Sequence, residues 1–297
     1  MHRVLTELEH HRVEVAQGKR FEFGLNWTRF LKVLDEKRIA KAELTLQNLL
    51  YMKDLRGRSF LDIGCGSGLF SLAARRLGAR VHSFDYDPRS VACTAELKRQ
   101  FCPEDLDWVV QAGSVLDKTF MRSLGQFDIV YSWGVLHHTG AMWQALENVQ
   151  CLMKPAGTLA LAIYNDQGRM SRHWLRIKKM FNCLPGGLRW LILWPAFIRL
   201  WGPTFIRDLM SGSPSRTWRE YSDTRGMSPW RDVVDWVGGY PFEVAKPEDI
   251  FEFYRMRGFK MIRLNTCAGG HGCNEFVFIH DRPYAESSCS STEWIDA

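Results

Sequence analysis

Residues 61–70 read LDIGCGSGLF. Three glycines alternate here, Gly64, Gly66 and Gly68, directly after an apolar run, and an acid, Asp62, stands two residues before the first. A short strand that enters a helix through glycines brings backbone N–H groups and a helix N-terminus toward a bound ligand. The dinucleotide form of this turn is G-x-G-x-x-G, whereas the spacing here is G-x-G-x-G. About twenty residues on, at the end of the next strand-like run, stands Asp85, an acid placed to accept hydrogen bonds from two ribose hydroxyls.

Outward from that turn the pattern is regular. SFLDIG (59–64) reads as a first strand and LFSLAARRLG (69–78) as an amphipathic helix ended by glycine. RVHSFDYD (80–87), WVVQAG (108–113), FDIVYSW (127–133) and GTLALAIYN (157–165) read as further strands, and PRSVACTAELKRQF (88–101) as a helix with proline in its first turn. Alternation of this kind predicts an α/β fold with a parallel sheet and right-handed crossovers. Helical spacing precedes it over 26–53. The rhythm breaks at Asp166 for about eighty residues. It resumes with a helix over 247–258 and two strands, FKMIRLNT and EFVFIH (275–280), whose short glycine-rich connection makes them antiparallel.

The chain has 297 residues, 46% hydrophobic and 24% charged, with formal charge +6, a mildly basic balance short of a nucleic-acid signature. Eight cysteines without C-x-x-C or zinc spacing read as reduced thiols. The polar N-terminus has no apolar signal core, so a cytoplasmic enzyme is the expectation. His271 between Cys267 and Cys273 reads as hairpin packing, and no metal site is expected.

The glycine turn and Asp85 suit either NAD or S-adenosylmethionine. The G-x-G-x-G spacing, an acid at Asp62 able to reach a ligand amino group, and the antiparallel end of the sheet favour the second. At this point the chain resembles the class I S-adenosylmethionine-dependent methyltransferases: FLDIGCGSG is similar to their first motif and SFDYDP to their second. QFDIVYSWGVLHHTG and LMKPAGTLALAIYN resemble their fourth and fifth strand regions. The resemblance implies a Rossmann-like seven-stranded sheet with an antiparallel last strand, and S-adenosylmethionine as cofactor. It also implies cofactor contacts from Asp62, Gly64, Gly66, Gly68, Asp85 and Tyr86, the last over the adenine. The family often has an acid after the third strand; here Ser114 and Val115 occupy that place, with Asp117 close behind. Trp133 ends the fourth strand, where the family lines the methionine part. In a general way the core also resembles the methyltransferases of ubiquinone biosynthesis.

The organisation expected is an N-terminal helical cap (1–57), a cofactor-binding core (58–165), a mainly helical insertion on the substrate side (166–246), completion of the sheet (247–282) and a flexible tail (283–297). The function expected is methyl transfer to an oxygen of a small molecule, either a polar metabolite or sugar, or a phenol or quinol. A hydroxyl acceptor needs a proton acceptor, and the candidates are His137, His138, Asp223, Asp235 and Tyr240. Asn26 and Trp27 are candidate lid residues. Residues 187–210 interleave Trp190, Trp194 and Trp201 with arginines, which leaves open a peripheral contact with the inner face of a membrane. A homodimer also stays open. An NAD-dependent oxidoreductase and a catalytically idle cofactor-binding module are the competing readings.

Overall fold

The computed structural model describes residues 2–225 and 229–280, with backbone only for residues 2–8 and 222–225; the tail expected to be flexible lies outside the described residues. Three helices come first: α1 (His2–Ala16), α2 (Gly24–Leu31) and α3 (Glu36–Leu50). Then β1 (Ser59–Ile63), α4 (Leu69–Arg76), β2 (Arg80–Asp85), α5 (Pro88–Phe101), β3 (Trp108–Ala112), α6 (Lys118–Ser123), β4 (Phe127–Trp133), α7 (Met142–Gln150) and β5 (Met153–Tyr164) alternate. Four helices follow: α8 (Arg169–Cys183), α9 (Trp190–Met210), α10 (Arg216–Arg225) and α11 (Pro229–Gly238). Finally α12 (Pro247–Arg255), β6 (Phe259–Asn265) and β7 (Cys273–His280) complete the chain.

The sheet order is β3-β2-β1-β4-β5-β7-β6. The first five of these strands pair in parallel, and β7 runs antiparallel to both β5 and β6. The order reverses between β1 and β4, which opens a crevice at the carboxyl ends of those strands, the place where such sheets bind ligands. Side chains alternate across β1. Leu61 and Ile63 join the apolar layer containing Leu146, Tyr254 and Phe278, whereas Phe60 joins the layer containing Leu46, Leu72 and Trp108. Both faces of the sheet are therefore buried, as a parallel sheet requires.

Two strands begin earlier than the sequence pattern suggests. β5 starts at Met153 rather than Gly157, with a register shift opposite Phe127–Ile129 and Ala156 in the left-handed region. A bulge interrupts the apolar run that would have marked its start. β7 starts at Cys273, two residues before the apolar run, because its pairing with Tyr164 is made by backbone groups that any side chain permits. The insertion has its own apolar cluster, centred on Trp174, Phe181, Val233 and Phe242.

Candidate active site

Gly64, Gly66 and Gly68 all have positive φ. A Cβ at Gly64 would lie 2.3 Å from a Val135 methyl, so only glycine lets the loop pass the end of β4. The loop N–H groups are spent largely on acceptors of the protein, most of them at the end of β2. Those of Gly64 and Cys65 donate to the Phe84 carbonyl, that of Gly68 to Cys65, and that of Gly66 to Asp85 Oδ2 at 2.9 Å. The expectation of several free amides facing a ligand is corrected here. The Asp85 carboxylate takes the Gly66 N–H on one oxygen and the Asp87 N–H on the other, at 2.8 Å. That leaves lone pairs on both oxygens at the cavity wall. Burial pushes this carboxyl up to about 7.

Asp62 also lines the cavity, and burial likewise pushes it up to about 7. Its orientation is set by a chain of donors. The Ser71 hydroxyl donates to Asp62 Oδ2 at 2.5 Å, and Ser83 lies 2.7 Å from Ser71. Trp108 Nε1 donates to Ser83 Oγ at 2.9 Å. Since Ser71 gives its one proton to Asp62, Ser83 must give its own to Ser71. The sequence pattern did not single out Ser71, Ser83 or Trp108, because their roles exist only once β1, β2, β3 and α4 are adjacent.

Ser114, Val115 and Asp117 border the cavity beyond β3. Asp117 Oδ1 accepts the N–H groups of Thr119 and Phe120, which makes it the N-cap of α6. Gly68 is the exception among the sequence-read cofactor residues: it lies behind the wall, where an added Cβ would meet Thr94 at 2.9 Å. Trp133 is half-exposed at the mouth, with its indole N–H on Glu275 at 3.1 Å.

The N-terminal helices close the near side. Asp87 ties them down: its Oδ2 accepts the Gly24 N–H at 2.8 Å and faces His11 Nε2 at 4.0 Å, while its Oδ1 caps α5 through Arg89 N–H. Tyr86 lies in the wall under this cap, edge-on to His11 and beneath the Arg20 guanidinium, 4.8 Å from the ring centre. Trp27 sits over Gly66, where an added Cβ would come within 3.0 Å of its indole nitrogen. His11, Arg20 and Asp87 had no local motif to mark them.

The far wall comes from the insertion and the end of β5: Tyr164, Leu200, Trp201, Val233 and Trp236 line it. Of the five candidate proton acceptors, the structure brings Asp235 and His138 to the cavity. Asp235 accepts a hydrogen bond from Asn26 Nδ2, and burial pushes its carboxyl up to about 7. His138 Nδ1 lies 2.6 Å from the Pro241 carbonyl, so that nitrogen carries the proton. Burial holds His138 down at about 3, which makes it a poor base at neutral pH. His137 is fully buried off the cavity, its Nδ1 accepting the Tyr164 N–H at 3.3 Å and its ring 3.9 Å from that of Tyr164. Tyr240 packs in the insertion's apolar cluster instead of the wall, and its carbonyl accepts the Phe21 N–H. The sequence placement of His137 and Tyr240 at the cavity is corrected accordingly. The side chain of Asp223, on α10, lies outside the described residues. Lys178, unmarked by the sequence, is buried beside Asp235; its ammonium lies over the Trp236 and Phe242 rings, and burial lowers it to about 7.

The whole forms one cavity of about 1480 Å³, reaching from Asp85 to Trp236. Residues 61–159 match the methyltransferase domain family. Together with the sheet order, that match decides the assignment. Residues 61–159 form a methyltransferase domain of the class I S-adenosylmethionine-dependent type.

Among curated relatives of the chain, a ubiquinone biosynthesis O-methyltransferase of Xanthomonas campestris is 34% identical over 111 residues, 37% of this chain and 45% of the relative. A tRNA U34 carboxymethyltransferase of Pseudoalteromonas translucida is 29% identical over 157 residues, 52% of this chain and 45% of that one. The alignments thus span less than half the length of these relatives. Among solved structures, a magnesium protoporphyrin IX methyltransferase from Synechocystis PCC 6803, with bound S-adenosylhomocysteine, overlays with a TM-score of 0.50 at 14% identity. That overlay covers 86% of this chain and 93% of the other, and supports the fold.

The cavity fits S-adenosylmethionine. Asp85 offers two acceptor oxygens for a ribose diol, and Asp62 a carboxylate for an amino group. A pyrophosphate would meet two buried acids and a loop whose amides are already engaged. The arrangement suits a cationic ligand.

Proposed function

We propose that this chain transfers the methyl group of S-adenosylmethionine to a hydroxyl oxygen of a small, mainly apolar acceptor of the phenol or quinol type, with Asp235 receiving the proton. One observation carries the reading. Asp235, a carboxyl that burial pushes up to about 7, stands among Tyr164, Leu200, Trp201, Val233 and Trp236 in a half of the cavity whose polar lining includes Tyr221, Asp232 and His271.

The cofactor supplies an electrophilic methyl on sulfur. Asp85 would hold the ribose and Asp62 the amino group, which fixes the direction in which the methyl points. Trp27 and α2 cover the cofactor half and exclude water. The aromatic wall positions a flat ring, so that its oxygen attacks in line. The oxygen–methyl bond forms as the sulfur–methyl bond breaks, sulfur keeps the bonding pair, and the hydroxyl proton passes to Asp235. A phenol near pKa 10 needs only modest help from such a base, whereas a sugar hydroxyl needs much more. The ubiquinone-biosynthesis relative acts on an oxygen, as its name states, which supports the same reading.

The test is release of S-adenosylhomocysteine with a panel of catechols, quinols and sugars. Asp235→Asn should lower kcat by about 10²–10⁴ while S-adenosylhomocysteine binding stays unchanged. Transfer to sugars alone, or undiminished kcat in the variant, would contradict the proposal.

A further inference from the structure

Among the described residues the outward face of α9 is largely exposed, with Trp194 edged by the Trp230 ring, and its chemistry is unusual for a solvent-facing surface. Leu191, Trp194, Ile198, Phe205 and Leu209 fall within about 60° on the helix circumference at 3.6 residues per turn. Trp194, Ile198, Phe205 and Leu209 are 53%, 64%, 54% and 57% exposed. Trp190, Ile206 and Met210 border them and are exposed too. The inward face of the same helix is also apolar: Leu193, Ala196, Phe197 and Leu200 pack into the insertion's cluster. Burial against the protein therefore explains only half of the helix. Contiguous exposed apolar surface of this kind marks a contact site.

Charge decides the occupant. From Gln167 to Arg207 the chain carries eight Lys and Arg residues and no Asp or Glu. Arg172, Arg176 and Lys179 share the exposed face of α8, and Arg199 is exposed on α9 beside the apolar stripe. A second copy of this surface would bring cations with no acids to meet them. An anionic lipid headgroup layer offers both partners at once, phosphates for the arginines and acyl chains for the apolar stripe. No helix among the described residues is long and apolar enough to cross a membrane, and the inner face of α9 is committed to the protein.

We infer that α9 docks flat on an anionic bilayer surface, its Trp194–Ile198–Leu209 stripe below the headgroups and the α8 and α9 arginines at phosphate level. Leu200 lines the cavity from the opposite side of this helix, and Thr204 and Trp201 from the flank between that side and the stripe. Docking therefore sets the acceptor wall within one helix diameter, about 10 Å, of the lipid.

Flotation of the full chain with vesicles tests the idea. The protein should float with vesicles of mixed phosphatidylglycerol and phosphatidylcholine at low salt, and less so at high salt. The pair Ile198→Glu and Leu209→Glu should lower the partition coefficient at least tenfold without moving the melting temperature, since both side chains are mainly exposed. Brominated lipid should quench tryptophan fluorescence in the wild type, and Trp190→Phe with Trp194→Phe should remove that quenching. The second pair keeps the test valid even where glutamate disturbs the fold. Absence of flotation at low salt, flotation or quenching insensitive to these variants, or a concentration-dependent dimer that the glutamates dissolve without any vesicle binding would each overturn the inference.

Discussion

Asp235 and His138 show how burial sorts neighbouring groups into different roles. Both are desolvated at the cavity wall, but desolvation penalises the charged form in each, so the acid rises to about 7 and the imidazole falls to about 3. At neutral pH the carboxylate is half available as a base, whereas the histidine is neutral and its Nδ1 proton is held by Pro241. If Asp235 is the proton acceptor, turnover requires its ionised form. The pH profile of kcat should rise to a plateau with an inflection at about 7, and Asp235→Asn should remove that limb. A limb retained in the variant would assign it to another group. The sequence marked Asp235 only as one of five candidate proton acceptors, because its hydrogen bond to Asn26 spans 209 positions. By contrast, Asp85 and the glycines were legible at once, since a tight turn and the acid at the next strand's end are local consequences of one crossover.

At the scale of elements, α2 is the piece that completes the cofactor half. It is fastened to α5 by Asp87 and carries Trp27 over Gly66. An indole covering a bound ligand contributes through buried apolar area and ring contact. Trp27→Ala should therefore weaken S-adenosylhomocysteine binding by about 1–2 kcal/mol, read by calorimetry, with little change in the melting temperature of the ligand-free protein. Unchanged affinity would place Trp27 in structural packing alone. The alternating strands were readable because period-two and period-3.6 patterns differ sharply. The helices of the insertion were harder. α9 is apolar on both faces and carries Pro195 and Pro203 within it, so neither amphipathic periodicity nor proline breaks reveal a 21-residue helix.

Three carboxyls at the cavity wall, Asp62, Asp85 and Asp235, are each pushed by burial up to about 7. A raised carboxyl pKa means that the folded state binds protons the unfolded chain has released. The stability from each is full below about pH 4 and is lost as pH rises through about 7. His138, held at about 3, contributes in the opposite sense, losing stability as pH falls below about 6.5. The two trends overlap, so the difference between variants is the clean observable. Asp62→Asn should gain stability relative to the wild type by on the order of 1–3 kcal/mol between pH 4 and pH 8, measured by urea unfolding. A difference constant across that range would mean that Asp62 titrates as an exposed acid does.

Isothermal calorimetry reads directly what the cavity between β1, β2 and α2 holds. The full chain should bind S-adenosylhomocysteine and give no heat with NADH. Asp85→Ala should weaken the former by about 1–3 kcal/mol, roughly ten- to a hundredfold. Tight NADH binding without S-adenosylhomocysteine heat, or S-adenosylhomocysteine binding indifferent to Asp85→Ala, would contradict the account.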